Sequence, residues 1–399
     1  MRRSRSVAIA GLAALAATVC TQAVVAPTAQ AALNEPARSA CRNAADVPVR
    51  TDAVFNDPVA GTPTAVVERI CSLIKQAPAG ESIEIAEFVV SGDAGSDYVA
   101  ALLDAHRRGV EVRMVIDGYQ INNPAAAKLI DTLGTDKSAS SWVHVCSHPS
   151  PEGNTTSCQG TKGMHNKFSL FSSVGGRRDV VVQASNNITD VNSTSYWNNL
   201  VVLPDNRKLF AGYGRYFDDL AAEVQNPDYD TTVTGGMQGG KVTAQFYPVA
   251  DRDPIAERLA EVGCRKDGRT RVEIGQSEWD ATRLAIVDEL AELVTAGCEV
   301  RVVHGIADPE VTAALETAGV PRRVLDGSTK AGRIHSKYMV VTDPTGPGAH
   351  RGWVMTGSHN FNATSLQRND EAMVELSQPG VVEAYAANFA RVWEVGAEG

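Results

Sequence analysis

The sequence predicts an α/β protein made of two similar halves. Each half is read as an α/β/α sandwich with a mixed, mainly parallel sheet, related to the other by a pseudo-twofold. Three observations lead there. Helical and strand-like apolar patterns alternate along the chain, the same order of patterns occurs twice, and each series ends in a matching polar motif.

"TAVVERICSLIKQA" from Thr64 and "DPIAERLAEVGC" from Asp253 space their apolar residues at helical intervals. Each leads to a short strand-like run, "ESIEIAEFVV" or "TRVEIGQSEW". A second helical pattern follows, "DYVAALLDAHRRG" or "LAIVDELAELVTAG", and then a β-rich run, "VEVRMVIDG" or "CEVRVVHG". Strands separated by helices imply βαβ crossovers and a sheet covered on both sides. Each half then places a turn, "SSVGGRRD" or "TDPTGPGAHRG", between two further apolar runs, which read as hairpins. The expected boundaries are a leader at 1–31, a first repeat at 32–205, a helix and flexible link at 206–240, and a second repeat at 241–399.

The leader follows from order and size. "MRRSRS" is basic, "VAIAGLAALAATV" is apolar but too short to span a bilayer, and "AQA" at Ala29–Ala31 supplies small residues for cleavage. A secreted protein is expected. Losing Arg2, Arg3 and Arg5 with the leader takes the formal charge from −10 to −13. So acidic a chain lacks the field with which a non-specific nucleic-acid binder collects phosphates. Cys41, Cys71, Cys146, Cys158, Cys264 and Cys298 remain, an even set that favours disulfides in an exported chain. Their order suggests 41–71, 146–158 and 264–298. The middle pair would pin "CSHPSPEGNTTSCQG", an insertion that only the first half carries.

The matching motifs are "MHNKFSLF" with "ASNN" and "IHSKYMVV" with "GSHN". Eight His and ten Lys in 399 residues give about 0.2 His-x-Lys by chance, and two occur, at corresponding places. On a strand, residues i and i+2 share a face. His165 and Lys167 therefore project together, as do His335 and Lys337, while Ser185 with Asn187 and Ser358 with Asn360 repeat this on the neighbouring strand. If the halves meet about a pseudo-twofold, two imidazoles, two ammonium groups and two amides converge. That set suits a phosphodiester: one imidazole attacks phosphorus, the other protonates the leaving alkoxide, and lysines and amides hold the non-bridging oxygens. No metal or other cofactor is required, because the lysines carry the positive charge.

On these motifs the chain resembles the phospholipase D superfamily, from Thr64 to about Leu376. The resemblance implies a phospholipase D-like fold, with His165, Lys167 and Asn187 in one half-site and His335, Lys337 and Asn360 in the other, supported by Ser185 and Ser358. It also favours His165 as nucleophile and His335 as acid and base. The family's motif Asp would fall at Ser172 and Thr342, and Ala184 replaces a Gly. Glu371 is therefore expected to orient an imidazole, paired with His335, and Asn199 is read as its counterpart. The implied activity is a secreted, monomeric phosphodiesterase that cleaves phospholipid head groups through a phosphohistidine, and can transfer the phosphatidyl group to an alcohol. The rival is a secreted, metal-independent endonuclease. Lys162 and Arg333, just before the motifs, are candidates to steer an anion. Trp197, Trp353, Phe361, Phe168 and Tyr338 lie near the motifs but are expected mostly in the core.

Overall fold

The computed structural model describes residues 37–237, 240–265, 270–343 and 351–399. The expected leader at 1–31 lies outside them. Among the described residues no helix is long and apolar enough to cross a membrane.

Each half builds one large sheet. The first has seven strands in the order 52–55, 199–203, 177–184, 167–174, 82–87, 111–117 and 142–146. Its last three strands are parallel, joined by helices Gly92–Arg107 and Pro124–Leu133. The second has nine strands, in the order 231–237, 240–247, 371–376, 351–357, 337–343, 271–279, 299–307, 322–324 and 397–398. Here Arg271–Trp279, Glu299–Ala307 and Arg322–Val324 are parallel, joined by helices Leu284–Thr295 and Pro309–Thr317. The sheets are mixed, as expected: the crossover part of each is parallel and the hairpin part antiparallel. In the first sheet only Lys167–Val174 and Asn199–Leu203 run against the other strands.

The first motif hairpin closes tightly. Val174 pairs with Arg177 around Gly175 and Gly176, whose φ values of 55° and 76° suit the two-residue turn that matches strand twist. Helix Arg207–Ala222 begins where the sequence places it, with Asn206 Oδ1 accepting the Leu209 N–H at 3.1 Å. The expected flexible link is not all link. Thr231–Met237 is an edge strand of the second sheet, paired with Gly240–Tyr247. Its threonines and glycines hide the alternation, but Val233 packs inward over Gly212.

Three cores result. One lies between the first sheet and its outer helices (Ile70, Leu102, Met114, Val180). Another lies likewise in the second half (Ile274, Leu290, Val302, Met339). The third is shared, with Phe168, Tyr213 and Phe217 meeting Phe246, Tyr338, Tyr385 and Phe389. Helices Arg207–Ala222 and Pro379–Val395 both contribute to it. Each such side chain contributes about 1.5–3 kcal/mol on burial, so the halves are held in one fixed relation. The cysteines join as their order suggests, Cys41–Cys71, Cys146–Cys158 and Cys264–Cys298.

Candidate active site

Each His-x-Lys motif is fastened to the opposite half. Met164 forms a parallel bridge with Asp370, and the His165 N–H donates to the Asp370 carbonyl at 3.0 Å. Ile334 pairs in the same sense with Trp197, and the His335 N–H donates to the Trp197 carbonyl at 2.9 Å. This exchange brings the imidazoles to one cleft of about 400 Å³, which Asn187, Asn360, Phe88 and Glu278 also line. Lys167 and Lys337 are buried beside it, each Nζ donating to the carbonyl of its own motif histidine at 2.8 and 2.5 Å.

The orienting residues differ from expectation. Glu371 pairs with His165, not His335: both carboxylate oxygens lie 2.9 Å from His165 Nδ1. The strand that follows each Ser-x-Asn block runs beside the other half's motif, so each half orients its partner's histidine. The counterpart of Glu371 is Asn198 rather than Asn199. The Ser185 N–H donates to the Asn199 carbonyl as the Ser358 N–H does to Ala372, which aligns Asn199 with Ala372. Asn199 instead donates through Nδ2 to Thr356 Oγ1 and Tyr385 Oη, both at 2.7 Å. Counting back from Leu203 and Leu376, the matched ends of "NLVVL" and "AMVEL", would have placed Asn198 opposite Glu371.

Asn198 Nδ2 donates to the Asn192 carbonyl, leaving Oδ1 to accept from Ser185 Oγ at 3.0 Å and His335 Nδ1 at 2.9 Å. Both rings thus hold a proton on Nδ1 against an acceptor, and Nε2 is left for chemistry. The half-sites are asymmetric as expected, with the charged acceptor on His165.

The electrostatics follow that asymmetry. Burial pushes the Glu371 carboxyl up, but His165, His359 and Lys167 outweigh it and hold the group near 2. Burial lowers the His165 pKa while Glu371 pulls it back up; Lys167 and Lys337 lower it further. His335 falls well below the ordinary range through burial, then Lys337 and Lys167, with no carboxylate bonded to it. Burial brings Lys167 down to about 8 against the pull of Glu371 and Glu87, and takes Lys337 well down also. Sequence reasoning missed Glu87, which pairs across strands with Lys167 and is pushed up to about 8 by burial. Its counterpart beside Lys337 is the neutral Gln276. It also missed Glu278, which accepts from Arg333 at 2.7 Å and Asn360 Nδ2 at 3.4 Å, and Phe88, whose ring centroid lies 4.9 Å from that of His165.

The remaining residues divide clearly. Asn187 and Asn360 reach the cleft, each with Oδ1 unbonded within the protein. Ser185 and Ser358 are buried and tie the Ser-x-Asn turn to the next strand, accepting the Asn199 and Ala372 N–H groups. The missing motif acids lie elsewhere. Ser172 Oγ accepts the Ser82 N–H at the far end of its strand, about 17 Å from Lys167 at roughly 3.3 Å per residue. An acid there could not touch an imidazole. Lys162 lines the cleft, bonded to Glu152 and Asn154. Trp197, Trp353, Phe361, Phe168 and Tyr338 are all core. The one grouping of metal-ligating side chains among the described residues, Cys146, Cys158 and Asp370, includes two sulfurs already joined in a disulfide.

The family model described as "Cardiolipin synthase, PLD-like domain" matches residues 70–221 and 266–393, which together contain both motifs. The chain belongs to the phospholipase D superfamily, a group of phosphodiesterases and phospholipid-modifying enzymes. A comparison with curated proteins finds none that matches. Among solved structures, phosphatidylserine synthase from Haemophilus influenzae Rd KW20 is 12% identical, with a TM-score of 0.58 over 89% of this chain and 90% of that one. Polyphosphate kinase from Porphyromonas gingivalis is 13% identical, with a TM-score of 0.53 over 86% of this chain. This chain covers only 50% of the kinase. A phospholipase D family member, Nuc from Salmonella typhimurium, is 19% identical over 40% of this chain and 98% of its own, with a TM-score of 0.32. At these identities the first two likenesses speak to fold alone.

Proposed function

We propose that this chain is a secreted phosphodiesterase that cleaves phospholipids at the head-group side of phosphorus, passing the phosphatidyl group through His165 to water or an alcohol. The observation that carries this is the paired anchoring of Nδ1, His165 on Glu371 and His335 on Asn198, beside two buried lysines in one cleft.

His165 is the nucleophile because a carboxylate supports the positive charge its ring acquires on attack. Its Nε2 bonds to phosphorus as the bond to the head-group oxygen breaks, and His335 Nε2–H gives that oxygen its proton. Water or an alcohol then loses a proton to His335, attacks phosphorus, and displaces His165. Lys167, Lys337, Asn187 and Asn360 donate to the non-bridging oxygens, where charge builds. The free enzyme disfavours a protonated His335, since burial and both lysines oppose it. A bound diester anion offsets the lysines and restores the acid.

Two facts support lipid over nucleic acid: the net charge of −10 and a family description that names a phospholipid-making enzyme. The three disulfides fit an exported chain. The test compares release of choline or ethanolamine from phospholipid vesicles with nicking of plasmid DNA, using the mature chain in excess chelator. Head-group release without nicking is expected. Nicking without release would establish the endonuclease instead.

A further inference from the structure

The insertion unique to the first half ends on the strand that orients His165. Cys158, Gln159 and Gly160 aim three successive N–H groups at the fully buried Asp370 carboxylate, at 2.7, 3.3 and 2.6 Å. Thr161 and Lys162 donate to the Arg368 carbonyl at 2.8 and 3.0 Å. The Asp370 N–H donates to the Gly163 carbonyl at 2.9 Å, and its own carbonyl accepts from His165. The following residue is Glu371. At the matching place in the other half stands Trp197, with no such loop. The loop closed by Cys146–Cys158 thus runs into a segment, 158–163, that is hydrogen-bonded to Arg368 and Asp370 just ahead of Glu371.

We propose that Asp370 and the Cys146–Cys158 loop form a positioning device for His165. Asp370 touches neither substrate nor imidazole ring. It acts by locking the register at which Glu371 meets Nδ1. The charged half-site needs such a lock more than its neutral counterpart. A carboxylate–imidazole bond in a dry site strengthens steeply with good geometry, and the nucleophile gains nothing from a carboxylate that drifts. Gly160 belongs to the device because a methyl there would lie 2.2 Å from the Arg368 carbonyl, prying the loop from the strand.

The inference rests on the catalytic reading of His165, so its test has one arm that needs no turnover. Asp370→Asn, Gly160→Ala and the double variant Cys146→Ser/Cys158→Ser are compared with wild type in full-length mature protein. Asn at 370 replaces one of the two acceptor oxygens with an amide that faces an N–H donor, and the Cys146→Ser/Cys158→Ser variant, which keeps the Asp370 acceptors, is the milder perturbation should the other two fold poorly. Hydrolysis of bis(p-nitrophenyl) phosphate is expected to lose tenfold or more in kcat with KM within twofold. The acid limb of the pH–rate profile should move to lower pH, because a looser Glu371 raises the His165 pKa less. In ¹⁵N-histidine-labelled protein the downfield His165 Nδ1–H resonance should broaden or vanish. Removing Cys264–Cys298, which touches neither motif, should leave kcat and that resonance as they are. An unmoved resonance and an unmoved acid limb in all three folded variants would overturn the proposal. If the variants lose the resonance that wild type keeps, yet wild type and variants alike cleave no phosphodiester, the positioning is upheld and the catalytic reading overturned.

Discussion

Glu371→Gln is the perturbation that most directly probes His165 as the proposed nucleophile. Glu371 is fully buried, and both its oxygens lie 2.9 Å from His165 Nδ1. The amide keeps the shape but removes the charge that stabilises the ring once it has attacked phosphorus. It can also turn an N–H toward Nδ1 and favour the wrong tautomer. The equivalent Asp→Asn change in a Ser-His-Asp triad lowers kcat about ten-thousandfold, so a loss of about a thousandfold to ten-thousandfold is expected here, about 4–5.5 kcal/mol. Glu371 does not line the cleft, so KM should change little. The sign of the pH effect is fixed: Glu371 raises the His165 pKa, so without its charge the ring protonates at lower pH and the acid limb of kcat/KM moves down. Stopped-flow release of p-nitrophenol from bis(p-nitrophenyl) phosphate between pH 4 and pH 9, roughly the span over which histidine and lowered lysine groups titrate, reads both quantities. Turnover within tenfold of wild type, with an unmoved acid limb, would refute the claim that this carboxylate activates His165.

Further expectations concern the other half-site, the lysines and the covalent frame. Asn198→Asp gives His335 a carboxylate, raising its pKa and moving the alkaline limb of kcat to higher pH. Its melting temperature should fall, because the donation to the Asn192 carbonyl becomes a repulsion. In the wild type kcat/KM should decline above about pH 8, where burial lets Lys167 lose the proton that attracts the diester; Lys167→Met should remove most activity. Removing Cys264–Cys298, at a separation of 34 residues, should cost about 4 kcal/mol by chain entropy, seen as a lower urea midpoint. Activity should persist in excess chelator.

Much of this was legible in the chain because duplication carries its own control. Two His-x-Lys runs and two Ser-x-Asn blocks, each at strand spacing in the same order of helices and strands, specified the fold class and side chains that meet in or beside one cleft. The order of cysteines likewise matched the bonds formed, since each pair closes a short local loop. What stayed hidden depends on contacts between the halves, which spacing along one strand cannot encode. That Glu371 belongs to His165 rather than His335, and that Asp370 receives a loop more than 200 residues away, arise only when the halves cross. Glu87 and Phe88 escaped notice for a related reason, since an acid and an aromatic at the end of a strand become part of a site only when a neighbouring segment brings a lysine and a histidine against them. Local pattern sets which residues a strand presents. The register between strands from opposite halves, settled by the shared aromatic core, decides which residue each of them meets.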